Sequence, residues 1–189
     1  MDLLPSEDVV YFGDTARYPY GPRELHEVRE FAIEITDYLV NEHDVKLLVV
    51  ACNTAAAAAL DELSEKISVP IIGVIAPGTQ AAIDVSETGR IGVIGTVGTI
   101  NSGAYLRAFS ELSNAQVEPL TLACPGFVEF VERGESSGEQ LLVLVERLLA
   151  PIISASVDTL LLGCTHYPYL ARAIGQVVGS EVVLVSSAD

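Results

Sequence analysis

The 189-residue sequence has no tryptophan, a single methionine and three cysteines, and its lysines and arginines number 10 against 26 aspartates and glutamates. Each scarcity closes off a class of function. A formal net charge of −16 leaves no basic footprint for nucleic acid or for an anionic membrane surface. Three widely separated cysteines do not form the disulfide framework of a small secreted domain, so a reduced, cytoplasmic setting is expected. The N-terminal segment is acidic and broken by Pro5, unlike the basic start and apolar run of a signal peptide. No apolar stretch approaches the ~20 residues needed to cross a bilayer; residues 141–153 are interrupted by Glu146, Arg147 and Pro151. Half of the residues are nevertheless hydrophobic and only 19% charged, which excludes an acidic disordered tail and provides for a core in one large domain or two small ones.

Short β-branched, apolar runs at residues 9–12, 45–51, 69–75, 91–95, 117–123, 158–163 and 181–185 alternate with helix-period segments. The clearest helix spans residues 24–41, with Leu25, Val28, Ala32, Ile35 and Leu39 on one face. The alanine run at residues 55–59 reads as a tightly packed helix. This alternation predicts an α/β fold of parallel strands covered on both faces, with ligands bound beyond the carboxyl ends of the strands. Two strand ends look alike: Val50-Ala51-Cys52-Asn53-Thr54 and Leu162-Gly163-Cys164-Thr165-His166 each run from an aliphatic strand through cysteine and a small polar pair toward a helix. A second pair, Phe12-Gly13-Asp14-Thr15 and Ile94-Gly95-Thr96, supports two similar α/β halves facing a central cleft. The seam falls near Ala76-Pro77-Gly78, giving halves at residues 1–77 and 78–186.

A cysteine between a strand end and a helix N-terminus meets unpaired backbone N–H groups and the positive end of the helix dipole, both of which favour thiolate. Two such cysteines, one in each half, would point into one cleft from opposite sides. Thiols facing each other across a small substrate suit two-base racemisation, in which one sulfur removes a proton and the other returns one to the opposite face. Asn53, Thr54, Thr96, Thr99, Thr165 and His166 are suitable donors for a substrate carboxylate and the developing carbanion.

Other readings of the same residues stand beside this one. Cys52, Cys164 and His166 lack zinc-ligand spacing, and Cys-Thr-His places thiol and imidazole very close in sequence for a hydrolase pair. A pyridoxal site needs a Schiff-base lysine, and only Lys46 and Lys66 are present, one opening a strand and one late in a surface-patterned helix. Cys124, followed by Pro125, reads as structural. His26 and His43 read as solvated, Glu132 as a surface carboxylate or a group orienting His166, and Asp14 as a cap or a functional acid. No metal site is expected.

Residues 11–23 (Tyr-Phe-Gly-Asp-Thr-Ala-Arg-Tyr-Pro-Tyr-Gly-Pro-Arg), Ala51-Cys52-Asn53-Thr54-Ala55, Gly95-Thr96-Val97-Gly98-Thr99 and Gly163-Cys164-Thr165-His166-Tyr167-Pro168 resemble, in order, the motifs of bacterial glutamate racemases. The resemblance implies a cofactor-independent isomerase that interconverts L- and D-glutamate and supplies D-glutamate for peptidoglycan. It further implies Cys52 and Cys164 as the catalytic bases, with Glu132 and His166 assisting proton handling. Tyr20-Gly21, Asn53-Thr54 and Thr165-His166 would contact glutamate, with Thr96 and Thr99 nearby. His166 stands where aspartate racemases of the superfamily tend to carry an acidic residue. Glutamate is thus the expected partner, with no nucleic acid and no membrane; a homodimer is left open.

The sequence departs from the family at both ends. The family opens with a strand leading to an Asp-Ser-Gly loop, whereas here Met1-Asp2-Leu3-Leu4-Pro5 stands where the first helix ends. Residues 187–189 correspond to the start of a segment that in the family continues as a helix returning to the first half. The expectations are therefore a first half lacking its first βα unit, an unpaired ladder with an apolar slot, and impaired activity. The alternatives are a catalytically inactive remnant or small-acid binding module, and a sister racemase acting on aspartate or a hydantoin.

Overall fold

The computed structural model describes residues 5–187. Residues 1–4, most of the stretch expected to match the end of the family's first helix, lie outside the described residues, as do positions 188 and 189 of the expected return segment.

The chain builds two parallel sheets. Helix α1, Leu25–His43, starts at Glu24, which forms a reciprocal capping box with Glu27. It buries Val28, Ala32, Thr36 and Leu39 along one face. That face lies on α2, Asn53–Lys66, through Ala55, Ala59 and Leu63. Ala56, on another side of α2, joins the apolar cluster of the larger sheet. The alanine run therefore does what its composition predicts, since small side chains let one helix pack closely on two sides. Helix α2 connects β1, Leu48–Val50, to its neighbour β2, Ile71–Gly73. Val49 is 55% exposed and Ile72 46% exposed, and among the described residues β1 has no second ladder neighbour.

The larger sheet has the order β4-β3-β5-β6, all parallel, with β3 at Ile91–Gly95, β4 at Leu120–Ala123, β5 at Thr159–Gly163 and β6 at Val183–Ser186. Strands β3 and β5 are buried at every position. Successive side chains point to opposite faces: Leu160 and Leu162 join the cluster of Phe127, Leu141, Val145 and Leu149, while Leu161 joins that of Ala82, Tyr105 and Phe109. Helices α6 (Phe127–Glu132), α7 (Glu139–Ser154) and α8 (Ala171–Val178) cover the first face; α3 (Ile75–Val85) and α5 (Ala104–Leu112) cover the second. This double covering is why the strands read as continuous apolar runs. The seam residues Ala76, Pro77 and Gly78 form the first turn of α3, where proline is tolerated. None of the helices among the described residues is long and apolar enough to cross a membrane.

Residues 9–12 are not a strand. Val9, Val10, Tyr11 and Phe12 form an exposed irregular segment, because no ladder among the described residues takes them in. Cys164 does not lead straight into an α-helix either; two turn residues and a 3₁₀ turn, Tyr167–Leu170, come before α8.

Asp158 closes the amino end of β5. It accepts from Ser86 Oγ at 2.7 Å and from the Thr88 amide and hydroxyl at 2.6 Å each. Burial raises its pKa, but these bonds outweigh it and hold the carboxyl below the usual carboxylate range. A depressed folded-state pKa contributes stability above the unfolded value of ~3.9 and loses it as pH falls through the folded value. Asp158→Ala is expected to lower unfolding stability at pH 7 by about 1–3 kcal/mol, with the difference from the parent shrinking below pH 4 in urea titrations.

Candidate active site

The order of the larger sheet reverses between β3 and β5: the chain moves outward from β3 to β4, then returns to the other side of β3. Such a switch point opens a crevice beyond the carboxyl ends of the two strands. The register pairs Gly95 with Gly163, so Thr96 and Cys164 leave the sheet side by side. Thr96 caps the short helix α4, Val97–Asn101, by accepting from the Thr99 amide at 3.2 Å.

The β1–α2 junction meets this crevice. Thr54 Oγ1 lies 3.0 Å from Thr96 Oγ1 and 3.1 Å from Thr99 Oγ1, and the last two are 2.9 Å apart. All three threonines are buried, so this hydroxyl triangle locks α2 to α4 across the two sheets. Thr99 is 0% exposed, which gives it a role in support of the site rather than on its surface. Gly21 closes the same corner: its carbonyl accepts from the Gly98 amide at 3.4 Å, and a Cβ added there would stand 2.8 Å from Thr96 Cγ2.

Cys52 caps α2 from an extended conformation without a side-chain cap hydrogen bond, while the adjacent Thr54 and Ala55 amides favour its thiolate. Cys164, 7% exposed, has its sulfur 3.8 Å from His166 Nδ1, its carbonyl accepts from the Tyr167 amide at 3.1 Å, and burial, with the charge of Cys52 adding to it, raises its pKa. Both thiols nevertheless depart from the expectation of a lowered pKa. Burial pushes Cys52 up and takes Cys164 up to about 12, outweighing the backbone donors. The resting site holds two neutral thiols.

His166 links Cys164 to Glu132. Its Nε2 lies 2.6 Å from Glu132 Oε1, at the end of α6, and its Nδ1 lies 3.8 Å from Cys164 Sγ. An ionised Glu132 only accepts, so Nε2 carries the proton and Nδ1 is left as an acceptor facing the thiol. Thr165 is exposed beside the ring, 3.4 Å from Nδ1.

Tyr20 donates to Asp14 Oδ2 at 2.5 Å, and Asp14 is also held by Arg17 Nε at 2.6 Å. Asp14 is thus neither a helix cap nor free; it pins Tyr20, whose phenol is raised by burial, by Asp14 and by the nearby Cys52. Cys124 is buried, 1% exposed, with its thiol pushed up to about 12 by burial, and its carbonyl accepts from Tyr167 at 3.1 Å, in line with a structural role. Sequence reasoning missed Tyr105, a fully buried residue of α5 that accepts from Asn53 Nδ2 at 2.7 Å. A shallow depression lined by Gly21, Pro22, Thr96, Glu129 and Tyr167 borders this region. A larger groove of about 300 Å³ between Arg90, Ile152, Asp158 and Val182 lies at the amino ends of β3 and β5, away from every residue above.

Two thiols at strand ends, buried hydroxyls and a histidine–carboxylate pair thus gather beyond the carboxyl ends of parallel strands in an α/β fold. The Asp/Glu/Hydantoin racemase family matches residues 2–189, and the chain belongs to it. Glutamate racemase from Parafrankia sp. is 53% identical over 189 residues, 100% of this chain and 67% of its own. The Geobacter metallireducens glutamate racemase is 50% identical over 98% of the chain and 68% of its own length. Among solved structures, a glutamate racemase isoform from Bacillus anthracis superposes with a TM-score of 0.93 at 45% identity, covering 99% of this chain and 70% of that one. The Francisella tularensis glutamate racemase, solved in complex with D-glutamate, superposes at 0.89 with 34% identity over 98% of this chain and 68% of its own.

Proposed function

We propose that this chain is a glutamate racemase that inverts the α-carbon by proton transfer between Cys52 and Cys164, and that its D-glutamate serves peptidoglycan synthesis. The observation that carries the reading is the convergence of two strand-end thiols: Cys164 leaves β5 beside Thr96, whose hydroxyl meets that of Thr54 in the first turn of α2, directly after Cys52. Relatives about half identical over nearly the whole chain bear the name glutamate racemase, which favours glutamate as the substrate.

In one direction the Cys164 thiol gives its proton to His166 Nδ1, and Glu132 stabilises the imidazolium. The resulting thiolate takes the α-proton, and the Cys52 thiol donates its own proton to the opposite face of the carbanion. One proton leaves the substrate and one returns; Cys164 ends as thiol and Cys52 as thiolate, and exchange through water and His166 resets them. In the other direction Cys52 is the base. Asn53, Thr54, Thr96, Thr165 and helix-start amides would hold the substrate, with Tyr20 and Gly21 closing one side and Thr99 supporting. Hydroxyls and amides suit this task, since a lysine beside the thiols would also hold charge on the ground state. Reduced turnover is part of the proposal, because Cys52 follows a strand that, among the described residues, has one ladder neighbour and exposed Val49 beside it.

Incubation with L-glutamate in deuterated water tests the reading. Loss of the α-proton signal together with decay of optical rotation is expected; neither would sink it. Aspartate and a hydantoin in the same assay separate it from sister racemases. Because the proton leaving the base thiol stays within the site on His166, the reactive form is a tautomer of the resting one, and log(kcat/KM) should stay nearly flat from about pH 7 to 9. A rise of about one per pH unit would mean that the thiolate forms by losing its proton to solvent rather than to His166.

A further inference from the structure

Asn53 follows Cys52 directly, is 2% exposed, and has unequal ends. Its Nδ2 donates to the Tyr105 hydroxyl at 2.7 Å, whereas its Oδ1, equally buried, has no partner among the described residues. A buried acceptor left unpaired is costly and calls for a partner from elsewhere. Tyr105 itself cannot drift. It is 1% exposed and lies over Gly163, where an added Cβ would stand 2.8 Å from Tyr105 Cε2 and 3.0 Å from its hydroxyl. One phenol therefore ties the residue after Cys52 to the residue before Cys164.

We infer that Tyr105 is a positioning residue of the site: by occupying Asn53 Nδ2, it leaves the Asn53 carbonyl oxygen as the free end, an acceptor for an N–H donor of the bound molecule such as an α-ammonium group. The identity of that donor rests on the proposed racemase reading; the fixed carboxamide does not. Without the hydroxyl, the Asn53 carboxamide loses the contact that holds it, and its oxygen is no longer kept in place for a ligand ammonium. An ammonium contact present in ground and transition states alike acts on KM rather than on kcat.

The test is Tyr105→Phe, which keeps the ring over Gly163. In the ¹⁵N-labelled chain the Asn53 side-chain amide pair is identified by its disappearance in Asn53→Asp, and its solvent exchange is read without ligand. The expected result is at least tenfold faster exchange of that pair in Tyr105→Phe, with the remaining amide spectrum in place. KM for glutamate should rise about tenfold while kcat changes by less than about threefold. Unchanged Asn53 exchange would overturn the inference. So would collapse of the whole amide spectrum, or a fall in kcat with KM constant, either of which makes Tyr105 a packing or chemical residue instead. If the parent chain does not turn glutamate over, the functional reading fails, while the amide comparison, which needs no turnover, still decides the role of Tyr105.

Discussion

Serine in place of Cys52 or Cys164 will lower racemisation of glutamate by about 10²–10⁴-fold, the range contributed by a positioned acid or base. A hydroxyl fits where the thiol was and accepts the same backbone amides, but it ionises far less readily than even a thiol raised to about 12. Binding of L-glutamate, measured by calorimetry on the same variants, should remain within a few-fold, because the donors around each sulfur belong to neighbouring residues. Either variant racemising at the parent rate would remove that cysteine from the reaction. Loss of binding in step with rate would make the thiols structural.

Leu161→Ala carries the largest expected effect on stability. Leu161 is 0% exposed in the middle of β5, between β3 and β6, with its side chain in the cluster under α3 and α5. A Cβ added at Gly78 of α3 would stand 3.4 Å from its Cδ1, at contact distance, which marks how closely that helix sits. Truncation should lower unfolding free energy by about 2–5 kcal/mol, the lost transfer term plus the cavity left behind. Urea unfolding followed by circular dichroism measures it, and a loss below about 1 kcal/mol would show that α3 settles into the vacated space.

Much of this architecture was legible because burial on both faces writes itself into the strands. The runs around β3 and β5 match the strands nearly to the residue, since every position of both is buried and all but Thr159 lack a polar side chain. The run at residues 9–12 carried the same β-branched signal and misled, because strand formation depends on a neighbour that composition does not reveal. Cys52, Asn53, Thr54, Cys164 and His166 announced themselves by position after strands. Tyr105 did not: on α5 it looks like any aromatic on a buried helix face, and only the fold shows that its hydroxyl meets Asn53. The sign of the thiol pKa was also hidden. The amides that favour thiolate could be inferred locally, whereas the desolvation that defeats them comes from elements distant in sequence.

The closeness of α1, α2 and the larger sheet has a mechanical consequence. Ala55 and Ala59 meet α1 while Ala56 meets the larger sheet, so the first two turns of α2 are gripped on two sides by methyl groups alone. Cys52 and Asn53 ride on the first turn, where the gripping side chains are methyls and the longer Leu63 lies farther along, so any rotation that moves the sulfur moves the carboxamide by the same angle. Base and binding group can then fall out of alignment with the far wall together, but not with each other.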